Sequence, residues 1–474
     1  MFRIYLDHNV FTHLRQKKET VSPYRNLYSF IKRNRDKLFF VYSPSHLQDL
    51  KRSSNSIYTE QDLEFINELT NGCYISERYK AKTVHAGVSH PKKYFESIKN
   101  DTTLEYFDFE TIFSDSDSPE ITKLWQALVN LLKSTPSGLN DDFFKSLDNT
   151  NYSGLKKFFE NTQKDNSLYS VFKDTFSVIA NPEEHSKTYI AFRNKSIDDM
   201  KLNPNPSEWG NAFEYLDKAV AKSSANSSFR EMIEKNLKIT KKEGEISTFD
   251  YFINYYISLD SFGFYKDKQL QNLIDDAMHA YYGAFCDYFV TDDNRTYQKA
   301  KAIYENFNIG TRVCKSEDFA NEFYKENVIS TSISEENITS RVVEVLQNSL
   351  IMLESVDDEL NPATVYKVCP PLADYFTRLQ VTHYKESTVL LFYKKANNYS
   401  AFLFWDEIRA ITNKFSNDYG IDDNLRLNFD PAKEEKEISE NVWPGREWKR
   451  GQLHTSVFYN TSLNDITFRI ELLR

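Results

Sequence analysis

Short apolar runs alternate with amphipathic stretches near the start of the chain and again before residue 330. Phe2–Leu6, ended by Asp7, predicts a buried strand, and Leu38–Tyr42, ended by Ser43-Pro44, predicts a second. Leu27, Phe30 and Ile31 recur at helical spacing and predict a helix over Tyr24–Arg35, with further helices over Ser45–Leu50 and Gln61–Leu69. This order predicts a parallel α/β unit. The pattern resumes with a helix over Leu270–Phe285, a strand over Tyr288–Thr291, a helix over Tyr297–Asn306, a strand over Thr311–Val313 and a helix over Asp318–Lys325.

Between these halves the spacing is helical almost throughout: Ile121–Leu132, Tyr152–Phe159, Tyr169–Ile179 and Phe213–Val220 follow one another with polar joints. After residue 330 a helix is predicted over Ile338–Leu353. Strands are predicted over Thr388–Tyr393, Ser400–Trp405, His454–Tyr459 and Ile466–Leu472, the last two as a hairpin, and Phe415–Arg450 reads as loop-rich. The expected organisation is an α/β domain in two parts, 1–100 and 260–329, a helical insertion over 101–259, and a C-terminal α+β domain over 330–474.

Composition narrows the classes. With 40% hydrophobic and 15% aromatic residues, the chain can build packed cores and is not a disordered protein. It has no apolar run of about 18 residues and no signal-peptide pattern at its start, so a cytoplasmic protein without a membrane partner is expected. Cys73, Cys286, Cys314 and Cys369 lie far apart and read as buried thiols, not as a zinc or redox motif. Phosphate-cradling glycine loops and the common hydrolase and zinc-protease signatures are missing.

The net charge of −10 at first points away from a polyanionic partner. Its distribution changes that picture: residues 1–100 hold 17 Lys/Arg against 10 Asp/Glu, and the excess of acid lies after them. Asp7 and Asp293 follow predicted strands, while Asp49 and Asp276 lie on the helices around them. In a parallel sheet, the carboxyl ends of strands and the amino ends of the connecting helices share one edge. The four carboxylates can therefore face one crevice, where they need counter-charge. Hard divalent cations, Mg²⁺ or Mn²⁺, suit such oxygen donors and support phosphodiester hydrolysis.

The motifs Y-L-D-H-N-V-F at 5–11, S-P-S-H-L-Q-D-L at 43–50, D-D-A-M-H-A at 275–280 and D-Y-F-V-T-D-D at 287–293 resemble those of PIN-domain ribonucleases. The resemblance covers roughly a third of the chain. It implies a PIN-like parallel sheet flanked by helices, with Asp7, Asp49, Asp276 and Asp293 as catalytic metal ligands and Asn9 and Thr291 orienting them. Asp49 stands where the family generally has Glu, and His8 where it has a small hydroxyl residue. Of the adjacent pairs, Asp276 is preferred to Asp275, and Asp293 to Asp292. His279 is read chiefly as a core histidine.

Arg15, Lys17, Lys18, Lys51 and Arg52 flank the acidic motifs and are candidates for a nucleic-acid-binding rim, with Arg25, Lys32, Arg33, Arg35, Arg78, Lys80 and Lys82 adding to the basic excess. Tyr24, Tyr28 and Tyr79 lie among them as candidate stacking residues. Trp443–Arg450 could make a second contact, but a loop packed by its own tryptophans is the preferred reading. The expectation is thus a metal-dependent endonuclease acting on RNA ahead of DNA, in the manner of a toxin or anti-phage effector. A regulatory partner or oligomer would engage the insertion or the C-terminal domain. The alternative is a catalytically inactive PIN-like module for nucleic-acid binding or scaffolding.

Overall fold

The computed structural model describes residues 1–52, 55–77, 84–99, 145, 160–165, 182–222, 227–240, 247–327, 338–348, 350–356, 361–395, 403–461 and 465–474. The first half begins with β1 (Phe2–Leu6), α1 (His8–Lys17), α2 (Ser22–Arg33), β2 (Leu38–Val41), α3 (Pro44–Lys51) and α4 (Ser56–Thr70). A hairpin of β3 (Cys73–Glu77) and β4 (Val84–Val88), which the sequence pattern did not suggest, and α5 (Pro91–Lys99) follow. The described insertion helices are α6 (Glu160–Asp165), α7 (Pro182–Asp199), α8 (Ala212–Ala221), α9 (Phe229–Thr240) and α10 (Thr248–Ser261). Then come α11 (Leu270–Gly283), β5 (Tyr288–Val290), α12 (Asn294–Asn306), β6 (Arg312–Cys314) and α13 (Phe319–Asn327).

These strands form a parallel four-stranded sheet in the order β2-β1-β5-β6. Alternation along each strand builds two cores, because successive side chains point to opposite faces. Ile4, Leu6, Phe40, Tyr288 and Val290 meet α1, α2, α4 and α13 on one side. Tyr5, Phe39, Val41 and Phe289 meet α11 on the other, together with Phe213, Leu216, Phe229, Tyr255 and Leu259 from α8, α9 and α10. Helices α7, α8, α9 and α10 of the insertion thus pack in the layer over one face of the sheet.

In the C-terminal part, α14 (Ile338–Asn348) stops where β7 (Leu350–Val356) begins, so the helix expected over Ile338–Leu353 is shorter and ends in a strand. The regular apolar spacing continued across that boundary and concealed it. β8 (Pro362–Leu372), β9 (Phe376–His383) and β10 (Ser387–Tyr393) continue the sheet. Trp405 opens α15 (Trp405–Tyr419) and does not end a strand; residues 400–402 lie outside the described residues. The expected loop over Phe415–Arg450 instead contains the end of α15, then α16 (Pro431–Ser439) and β11 (Arg446–Arg450). With β12 (Leu453–Asn460) and β13 (Asp465–Leu473), the seven strands form an antiparallel sheet in the order β11-β12-β13-β10-β9-β8-β7.

The helical patterns over Ile121–Leu132, Tyr152–Phe159 and Tyr169–Ile179 lie outside the described residues. Among the described residues, no helix is long and apolar enough to cross a membrane.

Candidate active site

The chain leaves β1 toward β2 on one side, while β5 pairs on its other side, so the strand order reverses between β1 and β5. The crevice outside the carboxyl ends of such a strand pair is the natural ligand site of an open parallel sheet. Asp7 lies there, buried at the N-cap of α1, and its backbone N–H donates to Val290 O at 2.9 Å. The buried Thr291 hydroxyl donates to Asp7 Oδ2 at 2.7 Å and accepts from the Asp293 N–H at 3.3 Å. One side chain therefore ties the ends of both strands together.

Asp293 caps α12, accepting from the N–H groups of Arg295 and Thr296 at 2.7 and 3.1 Å through Oδ1. Its Oδ2 lies 3.6 Å from Arg295 Nη1. Asp276, on the second turn of α11, faces the same space. Asp276 is half-buried, and burial with the charges of Asp7, Asp267 and Asp293 pushes its carboxyl well above the usual carboxylate range against the opposing charge of Lys299. No described donor hydrogen-bonds it. The alternatives at both acidic pairs have other work: Asp275 pairs with Arg52 at 2.6 Å, and Asp292 accepts from Ser316 and Tyr24.

Asp49 is set apart from this trio. Its carboxylate pairs with Arg52 and, through Oδ2, meets His279 Nε2 at 2.8 Å. Burial opposes charge on His279, but the hydrogen bond to Asp49 and the charges of Asp49, Asp7 and Asp276 hold it up at about 9. A protonated His279 donates from Nδ1 to the Tyr5 hydroxyl at 2.9 Å, which in turn donates to Ser43 Oγ at 2.6 Å. His46, fully buried beneath, bonds Leu6 O at 2.7 Å and accepts from Ser43 N–H at 3.1 Å. His279 is therefore both a core histidine and the partner of Asp49. Asn9 is exposed on the first turn of α1 and makes no hydrogen bond to the cluster among the described residues.

No family model, curated protein or solved structure matches the chain. What the site can do is read from its own geometry.

Two further charged residues escaped the sequence reading. Asp267, buried between α10 and α11, lies close enough to act on Asp276, and it pairs with Lys299 of α12. Lys299 is fully buried and also bonds Asp260 at 3.0 Å, which takes Arg193 of α7 at 2.8 Å. A signal was present: Thr296, Lys299, Ala300 and Ile303 form one buried stripe of α12, and a lysine at a core position calls for a buried acid. Asp267 had no such local signal.

The expected basic rim is only partly open. Arg15 is held by Asp62 and Gln61, at 2.5 and 2.8 Å, and Arg52 by Asp49 and Asp275. Lys17 and Lys18 lie over the rings of Tyr24 and Tyr28, at 5.6 and 4.6 Å, and Lys51 is half-buried on α3. Arg78, Tyr79, Lys80 and Lys82 lie outside the described residues. Trp443–Arg450 is built into the C-terminal fold: Trp448 is buried, and Arg446 bonds Glu434 at 2.6 Å and Asp422 at 3.3 Å.

The donor set of Asp7, Asp276, Asp293 and Asp267 consists of carboxylate oxygens, which suits a hard divalent cation, and such an ion would favour the ionised form of Asp276 that its acidic neighbours oppose. Among the described residues, no three His, Cys, Asp or Glu side chains converge closely enough to hold an ion as they stand.

Proposed function

We propose that the chain is a PIN-like nuclease dependent on Mg²⁺ or Mn²⁺ that hydrolyses phosphodiester bonds in RNA. The observation that carries this reading is the Asp276 carboxyl, without a described donor, among Asp7, Asp267 and Asp293 at the strand-order reversal. Asp7, Asp276 and Asp293 would hold the metal after drawing closer together, and Asp49, oriented by His279 and Arg52, would support the cluster from one side. The ion, when bound, supplies Lewis-acid stabilisation and an activated water. Thr291 keeps Asp7 and the Asp293 turn in register, a task that needs a hydroxyl able to donate and accept at once. The toxin or anti-phage role is an analogy with uses of the family.

Cleavage of labelled RNA with Mn²⁺, compared between wild type and Asp7→Asn, tests the reading, with DNA as a parallel substrate. A folded Asp7→Asn protein should lose roughly 10²-fold or more in rate. An unchanged rate overturns the proposal. The lack of three converged ligands among the described residues favours a second reading, an inactive PIN-like binding or scaffolding module. Calorimetric heat on Mn²⁺ addition that vanishes in Asp7→Asn/Asp293→Asn excludes that module.

A further inference from the structure

Beside Asp293 lies a cavity of about 430 Å³, whose lining combines Pro206 of the insertion with Gly263, Tyr265 and Lys266 of the α10–α11 loop and Asp293 and Arg295 at the start of α12. Its volume falls in the range of small-ligand sites. The loop that carries Tyr265 is pinned at both ends. Phe264 is buried against Trp209, with ring centroids 5.5 Å apart, and its N–H donates to Leu259 O at 2.9 Å. At the other end the Asp267 N–H donates to Asp260 Oδ1 at 2.6 Å, and Arg193 donates to Asp267 O at 2.8 Å.

Between these anchors Tyr265 has φ +46°, in the left-handed region that bulky residues seldom occupy. Backbone held there by its surroundings is typical of ligand clamps. The half-buried Tyr265 ring and the exposed Lys266 line the cavity. Arg295 lies 3.6 Å from Asp293 and 4.0 Å from Asp267, too far for either contact to be a hydrogen bond, and it is about a third exposed. Its guanidinium keeps donors for another anion.

An aromatic face, two cations and a cavity beside the carboxylates match the chemistry of one unpaired nucleotide: a ring for the base and charge for the phosphate. We propose that this cavity binds the nucleotide adjoining the cleaved phosphate of a single-stranded RNA, Tyr265 stacking on its base and Lys266 with Arg295 holding its phosphate. The proposal rests on the nuclease reading for its substrate. It assigns the α10–α11 loop the task of selecting unpaired strands.

Fluorescence anisotropy with a labelled single-stranded RNA of about ten nucleotides tests it, using the full chain carrying Asp7→Asn/Asp276→Asn so that binding is read without cleavage. Tyr265→Ala should weaken binding about 5- to 100-fold and Tyr265→Phe should retain it. Lys266→Ala should weaken it several-fold and lower the salt dependence by about one ion. A duplex of the same sequence should be insensitive to Tyr265→Ala. Binding within about twofold of the parent in both Tyr265→Ala and Lys266→Ala overturns the subsite. If Tyr265→Ala does not fold, Lys266→Ala decides, since its side chain is exposed. A wild-type chain that cuts RNA, with these variants binding as the parent does, removes the subsite and leaves the nuclease. A wild-type chain that cuts nothing, with the variants losing binding, removes the nuclease and leaves the subsite.

Discussion

Arg3 and Asp7 stand at opposite ends of β1, and their surroundings differ in kind. At the amino end, Arg3 is gripped by Glu407 of α15 through two bonds of 2.9 Å, and Asp287, just before β5, takes Lys394 at 2.8 Å and the Arg3 N–H at 2.7 Å. Burial opposes charge on Asp287, but Lys394 and the Arg3 N–H hold its carboxyl below the usual range. At the carboxyl end, Asp276 feels the charges of Asp7, Asp267 and Asp293 against that of Lys299, and its carboxyl moves the other way. Arg3 and Asp287 thus have matched partners where the sheet meets the C-terminal part, while Asp276, where the strand order reverses, lies among charges that mostly oppose its ionisation. Matched buried ions serve the fold; a perturbed carboxyl in a crevice is a candidate for binding a ligand.

The largest effect should come from breaking the matched end. Glu407 is fully buried, and Glu407→Ala strands the Arg3 guanidinium at the domain junction. Removing one partner of a buried pair costs about 3–5 kcal/mol. Denaturant unfolding should show that loss, while RNA cleavage by the protein that remains folded should hardly change. A loss below about 1 kcal/mol, the value of an exposed pair, would put this junction on a par with the surface.

A smaller effect sharpens the description of the same end. Burial, aided by Glu407, raises the Asp465 carboxyl from 3.8 to about 6, against Arg3, the Tyr375 hydroxyl and Lys394. The folded chain therefore holds this proton more tightly than the unfolded one. The stability it confers is fully present below pH 3.8 and is lost as pH rises through about 6, a change of about 3 kcal/mol. Asp465→Asn should remove that part of the pH dependence, as read by unfolding at about pH 4 and pH 7. Identical pH profiles for the two proteins would mean that the carboxylate is matched after all.

The two ends also differed in how far the sequence disclosed them. Phe2–Leu6, Leu38–Val41 and Tyr288–Val290 are compact apolar runs closed by polar residues, and strand ends of that sort brought Asp7 and Asp293 to notice. Helical spacing likewise exposed α11 and with it Asp276. The matched end could not be read this way, because Arg3, Asp287, Lys394 and Glu407 are far apart in the chain and only tertiary packing joins them. Asp49 was legible only in part, for a related reason. Its placement on α3 was legible, but its pairing with Arg52 three residues on and with His279 of α11 depends on how the helices face each other. In the C-terminal sheet, β8 carries Pro370 and Pro371, which break the alternation that announces a strand, and its register with β9 shifts there.

The smallest expected change bears most directly on the comparison. Asn has the shape of Asp without its charge, so Asp276→Asn removes repulsion from Asp7, Asp267 and Asp293 and leaves no described hydrogen bond broken. In EDTA at neutral pH the variant should be more stable than wild type by about 0.5–2 kcal/mol, as expected when an unfavourable functional group is relieved. If the proposed ion binds, Mn²⁺ should stabilise wild type, because binding to the folded state alone raises its stability, and the same substitution should abolish that gain. A variant stabilised without metal and indifferent to it would set Asp276 against Glu407 as charge held for a ligand against charge held for the fold. Destabilisation in EDTA would erase that contrast, since Asp276 would then be matched as fully as the residues at the other end.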